Sequence, residues 1–183
     1  MNENKLKDIE KYSLSDVDIQ KLLAPDKTKI IIYPDLKKYS DINQCFDKLG
    51  RCVLLYPLFS EYAGHWVGML KHPDKTIEYF DAYSNKPDTE KAWISKEQVA
   101  ELGMTENYLS NLLKKAHDDG YTILYNPYKL QSDKRNVNDC GRHVVVRLLF
   151  KNLSLDNYVQ YIKDRKMTPD EFVSKLTYQY LGK

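Results

Sequence analysis

Two strand-like runs folded about a proline turn constrain this chain most. Gly64-His65-Trp66-Val67-Gly68-Met69-Leu70 and Thr76-Ile77-Glu78-Tyr79-Phe80-Asp81-Ala82-Tyr83 are rich in aromatic and branched residues, and His72-Pro73-Asp74-Lys75 between them is a turn signal. Folding the chain back about Pro73, or about the Pro73–Asp74 bond, sets His65 opposite Asp81 or Ala82. Directly opposed side chains have Cβ atoms roughly 4.5–5.5 Å apart. At that range one imidazole N–H donates to the carboxylate and the other ring nitrogen is left as a base. A slip of one residue puts the two side chains on opposite faces of the sheet, and a purely structural His–Asp hydrogen bond has the same geometry.

A thiol with the matching chemistry lies downstream. Asn138-Asp139-Cys140-Gly141-Arg142-His143 leads into the apolar run Val144-Val145-Val146-Arg147-Leu148-Leu149-Phe150, so Cys140 stands where a polar loop becomes a buried helix. A helix start offers unpaired N–H groups and a positive dipole end, both favourable to a thiolate. Taken alone, Cys140 reads as core, as free cysteines usually do; beside a base and an orienting acid it reads as a nucleophile. Asp139 is placed to cap the helix, yet its charge opposes a thiolate next to it. Gln131, at the end of the strand-like stretch that begins near Tyr121, can aim an amide N–H at an oxyanion together with the Cys140 backbone N–H. Alone, Gln131 reads as a surface residue.

His65-Trp66, Phe80-Asp81-Ala82-Tyr83, Gln131 and Asp139-Cys140-Gly141 occur in an order that resembles the cysteine protease clan of the adenovirus maturation protease and the SUMO-deconjugating proteases. The resemblance covers roughly Val53 to Leu149 and is closer to the viral and virophage branch. It implies an α+β, papain-like fold with a small central mixed sheet flanked by helices. It also implies His65 as general base, Asp81 as its orienting acid, Cys140 as nucleophile and Gln131 as oxyanion donor. In the family the tryptophan after the histidine lines a narrow substrate channel, which assigns substrate binding to Trp66; without the resemblance a strand tryptophan reads as core. The stretch Ser132 to Asn138 is longer than the family's usual spacing.

The implied activity is a cysteine endopeptidase that processes viral capsid precursors after a small, glycine-containing motif. The alternatives are an isopeptidase that removes a ubiquitin-like modifier, an acetyltransferase of related architecture, and a non-catalytic binding protein. The expected partner is a protein substrate, a virion structural precursor. Adenovirus-like relatives also use DNA and a peptide as activators, and Lys129, Lys134, Arg135 and Arg142 keep that reading open against a merely solvated rim.

Composition enters as a bound. The 183 residues, 42% hydrophobic and 30% charged, suffice for one cysteine protease domain spanning 1–183. With 28 basic and 26 acidic residues the net charge is +2, too balanced to announce a nucleic-acid binder. Cys45, Cys52 and Cys140 are an odd set without repeated spacing, which argues against a disulfide framework. Cys140 and His143 could share a metal, but Cys45 and Cys52 are spaced wrongly for a partner knuckle, so neither metal nor cofactor is expected. The sequence has no apolar signal region or span of transmembrane length, so an intracellular, reducing setting is expected: host cytoplasm or viral factory, with packaging in the virion an option.

Further elements follow from punctuation. Ser13 or Ser15 caps a short helix to about Leu23. Lys29 to Tyr33 and Arg51 to Tyr56 read as strands stopped by Pro34 and Pro57. Helices are expected over about Thr105 to Asp118, Leu155 to Arg165, and Pro169 to Tyr180 with Thr168 as cap. Tyr158, Ile162, Phe172, Leu176 and Tyr180 are expected in the core. His143, the competitor to His65 as base, is expected to point away from substrate.

Overall fold

A computed structural model describes residues 2–134 and 136–182. Its five strands are β1 Lys29–Ile32, β2 Arg51–Ser60, β3 Ala63–Lys71, β4 Thr76–Phe80 and β5 Thr122–Tyr125, forming one sheet in the order β1-β2-β3-β4-β5. The middle three form an antiparallel meander, whereas β1 is parallel to β2 and β5 to β4. Parallel partners need long crossovers, and the chain supplies them with short 3-10 turns before β2 and, before β5, with α3 Lys96–Glu101 and α4 Tyr108–Asp118. The remaining helices are α1 Glu3–Lys11, α2 Asp16–Leu22, α5 Cys140–Leu149, α6 Leu155–Lys163 and α7 Pro169–Leu181. The class is α+β with a mixed sheet between helices.

Each face of the sheet is covered because its strands alternate side chains between two cores. Val53, Leu55, Trp66, Leu70 and Phe80 pack against α2, α5, α6 and α7. Leu54, Tyr56, Val67, Met69, Ile77 and Tyr79 pack against α4. α5 is buried all round, as its run of valines and leucines requires. Val144, Val145, Val146 and Leu148 are fully enclosed, each contributing about 1.5–3 kcal/mol by leaving water. The helix lies so close to β3 that a Cβ on Gly68 would come within 2.9 Å of Val144 Cγ1. That close approach carries the N-terminal end of α5 toward the end of the sheet where His65 sits.

Several expectations need correction. Pro57 does not stop β2, which runs on to Ser60 with a register shift after Pro57. β1 has already ended opposite Leu55, so Pro57 has a strand on one side only and its missing N–H breaks no β1 ladder. The strand after Tyr121 ends at Tyr125, well before Gln131; the chain from Asn126 is instead an extended loop tied to Ala82 by the Leu130 and Gln131 N–H groups. Tyr180 is exposed, although Tyr158, Ile162 and Phe172 are buried as expected. α2 and α7 have the expected caps, Ser15 and Thr168. α1 and α3, which the pattern of apolar residues did not announce, are also present.

Candidate active site

His65 and Asp81 form a buried pair. His65 Nε2 lies 2.8 Å from Asp81 Oδ1, and the residues are 4% and 0% exposed. The register that brings them together differs from the expected one. Gly68 faces Phe80 and Leu70 faces Glu78, so the ladder carried outward sets His65 level with Tyr83, not with Asp81 or Ala82. Relative to the Asp81 alternative the displacement is two residues, and an even displacement keeps both side chains on one face. The contact is therefore diagonal. β4 has ended at Phe80, and the turn that follows orients the acid: Asp81 Oδ1 accepts the Tyr83 N–H at 3.0 Å and Oδ2 the Asn85 N–H at 3.2 Å.

Since Nε2 is taken up by Asp81, Nδ1 is the ring nitrogen left for Cys140, whose side chain interacts with the imidazole. Burial opposes a charge on His65, but Asp81 and Cys140 outweigh it and push the imidazole up to about 10. This arrangement favours a protonated imidazole. Tyr83 stacks along the ring at 5.4 Å between centroids and Trp93 covers it at 5.2 Å.

Cys140 opens α5 and is 6% exposed. The other two thiols have no base and no helix start. Burial pushes Cys45 up to about 11 and raises Cys52 well above the usual thiol range. Asp139 does not cap α5 with its side chain. Its carboxylate turns inward, accepting the Ser174 hydroxyl at 3.0 Å and lying 3.2 Å from Arg142 Nε. Burial pushes Asp139 up to about 8 despite Arg142, which relieves the expected repulsion of a thiolate at neutral pH.

Gln131 bridges the two halves of the site. Its backbone N–H donates to the Ala82 carbonyl, next to Asp81, and its side-chain Nε2 donates to the Val137 carbonyl at 3.3 Å, just ahead of Cys140. A carbonyl partner fixes which end of the amide is the NH₂ group, leaving its second N–H and a buried Oε1 without a partner. Trp66 is placed in the core: its indole N–H donates to the Leu14 carbonyl at 3.0 Å, and its ring abuts Gly141. It flanks the start of α5 from beneath and exposes little surface to a substrate.

His143 is held away from the thiol by a second buried pair, its Nε2 lying 2.9 Å from Asp170 Oδ1 on α7. Arg142 is likewise enclosed, with Nη1 on Thr177 and Nη2 on the Ile9 carbonyl, so it is no part of a surface basic cluster. Lys129 is paired with Asp133, Lys134 is exposed, and Arg135 lies outside the described residues. The basic rim expected for a DNA activator is correspondingly reduced.

Two depressions meet at the Lys129–Asp133 ion pair. One, of about 410 Å³, is lined by Tyr83, Asn85, Trp93, Lys129 and Asp133; the other, of about 390 Å³, extends past Gln131 and Ser132 to Thr168, Pro169 and Asp170. Among the described residues, His65, Asp81 and Glu90 are the one group of potential metal ligands, their donor atoms lying within 4.8 Å of one another. The Cys140–His143 metal pair is not formed, because His143 is turned to Asp170. Trp93 and Glu90 were not legible as site residues: both fall in a polar segment without periodicity, and only the tertiary fold brings them to His65.

No family model matches the chain. It is similar to uncharacterized protein V9 of Sputnik virophage, with 36% identity over 176 residues that cover 94% of this chain and 98% of the relative. The chain belongs to the family of protein V9. No helix among the described residues is long and apolar enough to cross a membrane.

Proposed function

We propose that this protein is a cysteine endopeptidase of the adenovirus and SUMO protease type that processes a virion structural precursor. The observation that carries the reading is the meeting of Cys140, at the start of α5, with a His65 ring whose far nitrogen is held by Asp81. A buried thiol in the core has no need of an imidazole oriented by a carboxylate; a nucleophile does. The papain-like assignment rests on this order of groups and on a nucleophile helix packed against the strand that bears the base.

In the mechanism, His65 takes the Cys140 proton and the thiolate adds to a peptide carbonyl. The free N–H of Gln131 and the Cys140 N–H hold the oxyanion, and imidazolium His65 protonates the leaving amine as the C–N bond breaks. Water, deprotonated by His65, then cleaves the thioester and restores the thiol. With Cys140 only 6% exposed, side chains next to the scissile bond must be small, which supports cleavage after glycine. The depressions on either side of Lys129–Asp133 supply room for flanking residues. Activity of this kind needs a reducing compartment, so the infected cell or the particle assembled there is its place of action.

The test is incubation with capsid precursors from the same virus and, separately, with a ubiquitin-like conjugate. Cleavage of a precursor that disappears in Cys140→Ala is the expected result. Cleavage of the conjugate alone makes the protein an isopeptidase. Failure to cleave either, with no labelling of Cys140 by a glycine-ended peptide electrophile, rejects the enzyme reading.

A further inference from the structure

Glu90 is a buried carboxyl for which the mechanism above has no task. It sits in the 3-10 turn Thr89–Trp93 and is 0% exposed. Oε1 accepts the Tyr79 hydroxyl at 3.0 Å, while Oε2 is buried with no hydrogen-bond partner. One donor atom each from Glu90, Asp81 and His65 falls within 4.8 Å of the others. Burying an unmet carboxyl oxygen is costly, and an apolar side chain of similar shape would fill the same space without that cost. Placement in the turn is also firm. Asp88, at its N-terminal end, accepts the Tyr33 hydroxyl and the Ser110 N–H, and its own N–H donates to Tyr56. The same turn delivers Trp93 to the His65 ring.

We propose that Glu90 is a positioning residue for the base, a second carboxyl that sets the charge of the His65–Asp81 pair and, through it, the ionisation of Cys140. The inference rests on the reading of Cys140 as nucleophile. Burial pushes Glu90 up to about 7; Asp81 adds to the rise, while its own backbone N–H, His65 and the Tyr79 hydrogen bond act against it. Below that value Glu90 keeps its proton and His65 faces one carboxylate; above it, two. A second negative charge at this distance stabilises the imidazolium, and the three groups titrate as a unit. Cys140 therefore gains reactivity through the neutral range as Glu90 loses its proton. The ionisable groups facing Glu90 are Tyr79 from β4, Tyr56 from β2, His65 from β3, Asp81 beyond β4, and Asp88 on its own turn.

The test compares Cys140→Ala with Cys140→Ala/Glu90→Gln by NMR titration of His65, whose resonance is assigned by its loss in His65→Gln. The midpoint is expected to fall by about one pH unit or more in the double variant; equal midpoints overturn the proposal. Because the thiol is absent, this result stands whether or not the protein cleaves peptides, and the protease reading fails or holds in its own cleavage assay. With the thiol present, Tyr79→Phe keeps the carboxyl but removes its donor, so the neutral inflection in the rate of Cys140 alkylation should move to higher pH. An inflection that stays in place in Tyr79→Phe, or persists in Glu90→Gln, also overturns the proposal.

Discussion

Asp81 reaches His65 diagonally past the end of the β3–β4 ladder, Oδ1 lying 2.8 Å from Nε2, although Gly68, not His65, is the strand partner of the last β4 residue, Phe80. The acid is thus held by its own turn through the Tyr83 and Asn85 N–H groups and not by cross-strand pairing. Asp81→Asn preserves the shape but removes the charge that favours the imidazolium. A loss of about 10²- to 10⁴-fold in kcat/KM is expected, with the His65 titration moved to lower pH, checked by peptide cleavage and NMR.

Gln131→Ala leaves the base and the thiol in place and withdraws one oxyanion donor. The expected cost is about 10²- to 10³-fold in kcat with little change in KM, while alkylation of Cys140, which forms no oxyanion, keeps its wild-type pH profile. A change in that profile would show that Gln131 acts on the loop that holds Cys140.

The second buried pair should behave oppositely. Asp170 accepts from both His143 and the Ser132 N–H, so Asp170→Ala leaves polar groups unmet inside the protein. Stability is expected to drop by about 1–3 kcal/mol in denaturant titration, with the Cys140 alkylation profile unaltered. If that profile collapses in the folded variant, His143 and not His65 is the base.

Beneath the site, Arg147 of α5 makes two 2.7 Å hydrogen bonds to the two carboxylate oxygens of Glu78, and both side chains are buried. Burial opposes ionisation of Glu78, but Arg147 and His72 outweigh it and hold the carboxyl below its usual range. A carboxyl depressed in the folded state contributes stability above its unfolded pKa and loses it as pH falls through the folded one. Glu78→Gln is expected to cost about 3–5 kcal/mol near neutral pH, since the Arg147 charge stays buried without its partner. The gap from wild type should narrow below the ordinary carboxylate range, as thermal melts across pH will show.

The sequence and the structure agree where one local signal decides. The run from Val144 to Phe150 after a polar loop reads as a buried helix, and that places Cys140 at its start. Whether His65 and Asp81 share a face stayed open between the two candidate registers, since only the Asp81 alternative puts both side chains on one side of the sheet. Register was not legible to better than a residue or two, because it depends on where the β4 ladder stops and how the turn after Phe80 closes. Pro57 misled because its tolerance depends on the length of β1, a distant segment. Arg142 read as surface because its partners Thr177 and Ile9 lie far along the chain.

The most direct measurement is the alkylation rate of each cysteine against pH, in wild type and in His65→Ala. Cys140 is expected to react faster than Cys45 and Cys52 at and below neutral pH, and to lose that advantage in His65→Ala. A Cys140 that reacts no faster than the two buried thiols, or whose profile is the same without the imidazole, contradicts the account.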